Sequence, residues 1–184
     1  MMSEPSLYER RKTRYGHVLA LLLLLTILHL IGMILVQSFT KLNDAGDGFV
    51  TSPVFGLMFA SSGFALLLTS ASYSLKAVLS SSSVITLGLS LLLLFFQYDA
   101  SKGKHGFLYA ASSLYLVDTL FLLPVFLFLH HFPIEFSWID VLLFSLLHLA
   151  GVALYGSATM LAFRLQREEK NKPAHNEVDP HHGL

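Results

Sequence analysis

The sequence predicts an all-α polytopic membrane protein, a bundle of about five transmembrane helices. Three observations predict it. Hydrophobic residues make up 54% of the 184-residue chain and charged residues 13%; the mean hydropathy is +0.62, a balance foreign to soluble domains. Apolar runs recur at about the length a bilayer core requires, roughly 20 helical residues. Lysine and arginine are confined to the ends of those runs and the segments between them.

Residues 1–14 form a basic N-terminal arm carrying Arg10, Arg11, Lys12 and Arg14. The first span is 15–36. It exceeds a signal-peptide core and has no small-residue cleavage site after it, so it is expected to stay in the chain. Residues 37–53 have the turn chemistry of Asn43, Asp44, Gly46, Asp47 and Gly48. They lack the spacing and closing Glu of a calcium loop and read as a solvated turn. The second span is 54–73, where Gly56 and Ala60, with Ser61, Ser62 and Gly63, make a small face for close helix approach. Lys76 and the serines at 80–83 lead into the third span, 78–96, which exits at Gln97 and Tyr98. A polar loop, 99–106, precedes the fourth span, 107–129. Trp138 suits headgroup depth and opens the fifth span, 139–163. The remainder, 164–184, is charged and is expected to be a disordered tail.

Five spans place the termini on opposite sides, and the basic arm favours a cytoplasmic N-terminus in a cell's inner (plasma) membrane. A four-span reading with one re-entrant segment is the alternative. Membrane lipid and other membrane subunits are the expected partners. Zero formal charge and the lack of basic residues interleaved with aromatics exclude a nucleic-acid surface. The absence of cysteine removes thiol catalysis, disulfides and Cys-type metal sites. No phosphate loop, Ser–His–Asp set or paired carboxylates appear, so no catalytic residue, metal or cofactor is expected.

Three polar residues stand inside the spans. Asp118 lies at the centre of the fourth, where a carboxylate costs on the order of 3 kcal/mol on insertion scales, so it should face protein. Pro124 removes the donor for the Leu120 carbonyl and should kink the helix there. With no intramembrane Lys or Arg and no chain of titratable groups beside it, Asp118 reads as a neutral structural acid. It would donate a hydrogen bond to Tyr115, His29, His148 or a carbonyl, and Asp118→Asn would preserve function. A small carrier using Asp118 is the competing reading. His29 and His148 share a local pattern, Leu28-His29-Leu30-Ile31-Gly32 and Leu147-His148-Leu149-Ala150-Gly151. Paired imidazoles could ligate a b-type heme. If the first and fifth helices ran parallel, however, the two would be offset by roughly 9–10 Å along the axis, and each is read as hydrogen-bonded instead. His175, His181 and His182 fit no compact metal site.

The layout also resembles the short, five-span form of heme–copper oxidase subunit III over most of residues 10–155. The residues that carry it are Arg10-Arg11-Lys12-Thr13-Arg14-Tyr15-Gly16 before the first span and Pro53 with Ser61-Ser62 at the second. Lys76 follows, then Leu87-Gly88-Leu89 to Phe95-Phe96-Gln97-Tyr98 closing the third span. Gly106-Phe107-Leu108-Tyr109-Ala110 opens the fourth and Trp138-Ile139-Asp140-Val141 the last. The family's His-Gly-x-x-His signature is absent from 115–122, where Asp118 stands. The resemblance implies a non-catalytic membrane subunit of a respiratory terminal oxidase, holding no metal itself and supporting assembly and proton uptake. At most it would be an accessory to an oxidoreductase. The alternative is a multi-span protein with a structural role of its own.

Overall fold

The computed structural model describes residues 6–42, 49–50, 53–70, 75–128, 134–135 and 137–171. Six helices carry the chain: α1 (Leu7–Leu42), α2 (Ala60–Ser70), α3 (Leu75–Ser101), α4 (His105–Leu120), α5 (Leu122–Phe128) and α6 (Trp138–Asn171). Two-residue strands β1 (Phe49–Val50) and β2 (Ile134–Glu135) pair in parallel, and a 3-10 turn covers Pro53–Leu57.

The long helices overrun the expected spans at both ends of the chain. At 1.5 Å per residue α1 is about 54 Å long, well beyond a bilayer core. Its start is set by Ser6 and Glu9: the Ser6 Oγ accepts the Glu9 N–H and the Glu9 carboxylate accepts the Ser6 N–H, a reciprocal cap. The basic residues expected on a free arm therefore ride on the first turns of α1. Likewise α6 continues to Asn171, so 164–171 is helix rather than tail; 172–184 lies outside the described residues.

Side-chain pairs give the direction of each helix. Tyr8 donates to Glu169 at 2.9 Å and Arg11 pairs with Glu168, so α1 and α6 are antiparallel. The Tyr15 hydroxyl donates to the Ala100 carbonyl at 3.3 Å and lies 3.3 Å from His105 Nδ1. That puts the end of α3 and the start of α4 beside the start of α1. The turn between them uses Gly103 at φ 85°, a backbone state that costs glycine nothing. Leu7 and Asn171 thus sit at one end of the bundle, and the expectation of opposite termini is overturned.

The reason lies in the segment expected to be the second span. Beside the start of α6, β1 pairs with β2. The 3-10 turn then descends between α1 and α6: Leu57 closes on Gly32, and Gly56 on Leu143 and the Asp140 carbonyl, so tightly that an added Cβ would overlap. The chain turns at Met58–Phe59. From there α2 runs back, with Ser62 bonded to Thr86 of α3 at 2.5 Å and Phe64 against Phe121 and then Phe128. Its 11 residues cover about 16 Å, half of a bilayer core. Residues 53–70 therefore form a hairpin that enters and leaves at one end of the bundle; 71–73 lie outside the described residues. Among the described residues four helices are long and apolar enough to cross a membrane: Leu7–Val36, Ser81–Ser101, His105–Phe128 and Trp138–Asn171.

The third of these breaks where Pro124 was expected to break it. Phe121 closes α4 with its N–H on the Asp118 carbonyl at 3.0 Å, and α5 resumes one residue on. Large apolar side chains line the outside of the helices, among them Leu24, Ile34, Leu91, Leu120, Leu149 and Phe163. The interior, conversely, buries Thr26, His29, Ser62, Thr86, Gln97, Asp118 and His148. A polar inside and an apolar outside suit lipid rather than water as the surrounding solvent.

Candidate functional site

Two apolar clusters fill the bundle, one around Leu22, Leu93, Leu108 and Ala158, the other around Phe55, Met58, Leu66 and Val125. His29, His148 and Asp118 lie between them.

Each histidine is anchored by its own helix. His29 Nδ1 lies 2.7 Å from the Leu25 carbonyl and His148 Nδ1 2.7 Å from the Phe144 carbonyl. A carbonyl only accepts, so each Nδ1 carries a proton and, in the neutral ring, each Nε2 is left with its lone pair. The two rings meet edge to face with centroids 5.7 Å apart. The expected axial offset is therefore absent. It assumed parallel helices; in an antiparallel pair, a residue past the midpoint of one helix is level with a residue before the midpoint of the other. Phe59 from the turn of the hairpin stacks on His29 at 4.1 Å, and Tyr115 of α4 packs against both imidazoles, at 6.1 and 6.0 Å.

Asp118, three residues and one turn from Tyr115, shares its face of α4. Its carboxylate accepts where donation was expected. Oδ1 takes the Ser61 N–H at 3.0 Å and the Ser61 hydroxyl at 2.5 Å, and Oδ2 takes the Ala60 N–H at 3.2 Å. These are the first N–H groups of α2, which have no partner within their helix. A helix that begins in mid-bundle has no water to satisfy them, and Asp118 caps it from another element. The positive end of the helix dipole favours a carboxylate at this position.

Oδ2 also stands 3.4 Å from His148 Nε2. That contact is not aligned as a hydrogen bond, and Nε2 of both histidines and the Tyr115 hydroxyl are buried without a hydrogen-bond partner among the described residues. At 3.4 Å the two atoms stand outside hydrogen-bond geometry, near enough for a proton carried by either group to face the other. His148, His29 and Tyr115, which the sequence offered only as possible acceptors of a hydrogen bond from Asp118, are thus gathered beside its carboxylate. Polar groups continue toward the end of the bundle that carries Leu7. Gln97 Nε2 donates to Thr26 Oγ1 at 3.0 Å and to the Tyr155 hydroxyl at 2.9 Å, and the Tyr155 ring lies 4.9 Å from that of Tyr115.

This packing does not suit a heme between the histidines. Phe59, stacked on His29, and Tyr115, packed against both rings, occupy the flanks a macrocycle would need. Among the described residues no group of three or more His, Asp or Glu side chains is placed to hold a metal ion. His175, His181 and His182 lie outside the described residues.

Tyr155, Gln97 and Ser61 were not singled out as site residues from sequence, and Tyr115 only as one possible hydrogen-bond partner of Asp118. Spacing held part of the signal: Tyr155 is seven residues, two turns, beyond His148, and so shares its face. No family model, curated protein or solved structure matches this chain.

Proposed function

We propose that this chain is a non-catalytic integral-membrane subunit that exchanges protons at a His148–Asp118 pair in mid-membrane. It would work beside the catalytic subunit of a respiratory terminal oxidase, supporting its assembly and its proton uptake. The observation that carries the proton-handling reading is the 3.4 Å approach of His148 Nε2 to Asp118 Oδ2, in contact with His29 and Tyr115. Intramembrane acids of this kind mark proton and ion pathways. The layout resemblance supplies the oxidase as partner. Among the described residues, nine lysines and arginines lie at the end shared by Leu7 and Asn171, against Lys41 and Lys76 at the other. That bias supports a cytoplasmic position for both ends in a cell's inner membrane.

The test is purification of the native complex in mild detergent. A heme-containing oxidase should co-migrate, and Asp118→Asn should lower proton uptake per electron in a complex that still assembles. Recovery of the chain with no heme protein beside it would overturn the oxidase reading. A second reading, a small proton-coupled carrier, draws on the half-length α2, since broken helices at mid-depth build the binding sites of secondary transporters. Solute movement by the pure protein in vesicles under a pH gradient would favour it.

A further inference from the structure

The interior of the bundle holds the Asp118 carboxylate and, among the described residues, no buried lysine or arginine to offset it. The three groups that donate to it, from Ser61 and Ala60, are neutral, and they leave one of about four acceptor positions open. Beside it lies a cavity of about 380 Å³ between α2, α3 and α4, lined by Ser61 and Asp118 and walled by Leu89, Leu114 and Phe121. Val84 and Val117, 71% and 54% exposed on the apolar outside of the bundle, also line it, so it opens into lipid. We infer that this cavity is a binding site for a lipid-soluble cation, an ammonium group carried on a small apolar body.

Each part of the cavity selects for that class. A mouth in lipid admits only what dissolves there. Apolar walls offer a metal ion no oxygen ligands in place of its water, whereas the substituents of an organic ammonium can stay against Leu89 and Leu114 while its charge reaches Asp118. Away from water the attraction between the two charges is much stronger than in solution. Phe121 adds an aromatic ring, the apolar group that attracts cations. The volume lies within the range of small-molecule sites, roughly 300–1,000 Å³. A second cavity, of about 430 Å³ between α1 and α3, is also largely apolar but carries Lys12 and no acid, and it repels the same ligand. Asp140, a buried carboxylate near the start of α6, lines neither cavity. The site requires the charge of Asp118, but neither an oxidase partner nor a proton shared with His148.

The experiment is equilibrium binding of tritiated benzyltrimethylammonium to the full chain in nanodiscs, with empty nanodiscs subtracted. Saturable binding is expected, and neopentylbenzene, which has the same shape and no charge, should compete at least about tenfold more weakly than the unlabelled cation. Gly88 lines the cavity, and a Cβ there meets nothing within 4 Å. Gly88→Leu therefore fills the space without disturbing the helix, and it should weaken binding about tenfold or more, as should Asp118→Asn. Gly16 is equally open and lines the cavity that carries Lys12, so Gly16→Leu should leave binding unchanged. Helix content by circular dichroism identifies any variant that fails to fold, and Gly88→Leu, which keeps the carboxylate, stands in if Asp118→Asn does. Binding no greater than to empty nanodiscs, equal competition by neopentylbenzene, wild-type affinity in the folded Gly88→Leu protein, or loss of binding in Gly16→Leu would each overturn the site. None of these measurements involves heme or proton uptake, so the cation site and the proposed function stand or fall separately.

Discussion

At the scale of single residues, the site depends on what its neighbours lack. Gly151 is buried against the Tyr115 ring, and a methyl group there would overlap three of its atoms. Gly151→Ala must push Tyr115 out of the space between the histidines, at about 1–3 kcal/mol for an overpacked core. Gly156, five residues on along the same helix, has open space where its Cβ would be. Gly156→Ala should stabilise by up to about 1 kcal/mol from helix propensity alone. Opposite signs for the two variants, read by thermal unfolding in detergent, are the expected result; equal effects would mean that Tyr115 is not seated as described. Asp118 itself was legible from sequence as an acid that had to face protein. Its role was not, because the donors it accepts belong to a hairpin 57 residues earlier in the chain, and nothing in the local pattern announces a cap supplied from that distance.

At the scale of elements, the sequence and the structure part company at one place. Pro124 ended α4 as expected, since a missing N–H acts locally. The residues at 54–73 have the length and hydropathy of a span, but the described part, 54–70, folds as a turn and a half-length helix. Their small residues were read as one helical face. Instead Gly56 admits α6, and Ala60 and Ser61 offer their N–H groups to Asp118. Hydropathy measures what a segment can be surrounded by, and a hairpin buried in protein passes that test as well as a span does. Single cysteines decide the matter in a chain that has none of its own. Val50→Cys and Leu75→Cys should be labelled by a membrane-impermeant reagent from the same side. Labelling from opposite sides would restore the full second span.

At the scale of the whole molecule, four candidate spans in place of five go with Leu7 and Asn171 lying at one end of the bundle. The charge bias, nearly balanced when five spans are counted, becomes strongly one-sided with four. Ser6→Cys and Asn171→Cys are expected to be labelled from one side, opposite to Val50→Cys; labelling from different sides would sink the antiparallel arrangement of α1 and α6. The depth of the two histidines depends on the same arrangement. Their shared His-Leu-x-Gly pattern was visible, yet their meeting was not, because a level pairing follows from helix direction, which a local pattern does not carry.

The closure of α1 on α6 also bears on how the protein is made. During synthesis α1 leaves the ribosome well before α6, so the imidazole of His29 and the cations of the first turns are in place long before His148 and Glu168 exist. Until then the polar face of α1 has only α3, α4 and the hairpin to cover it, and the capped start of α2 has Asp118 but not His148. Completion of the site therefore waits on the synthesis of α6. A ribosome that stalls before α6 leaves an intermediate with an open polar seam in lipid, the kind of surface by which membrane quality control can tell an unfinished protein from a finished one.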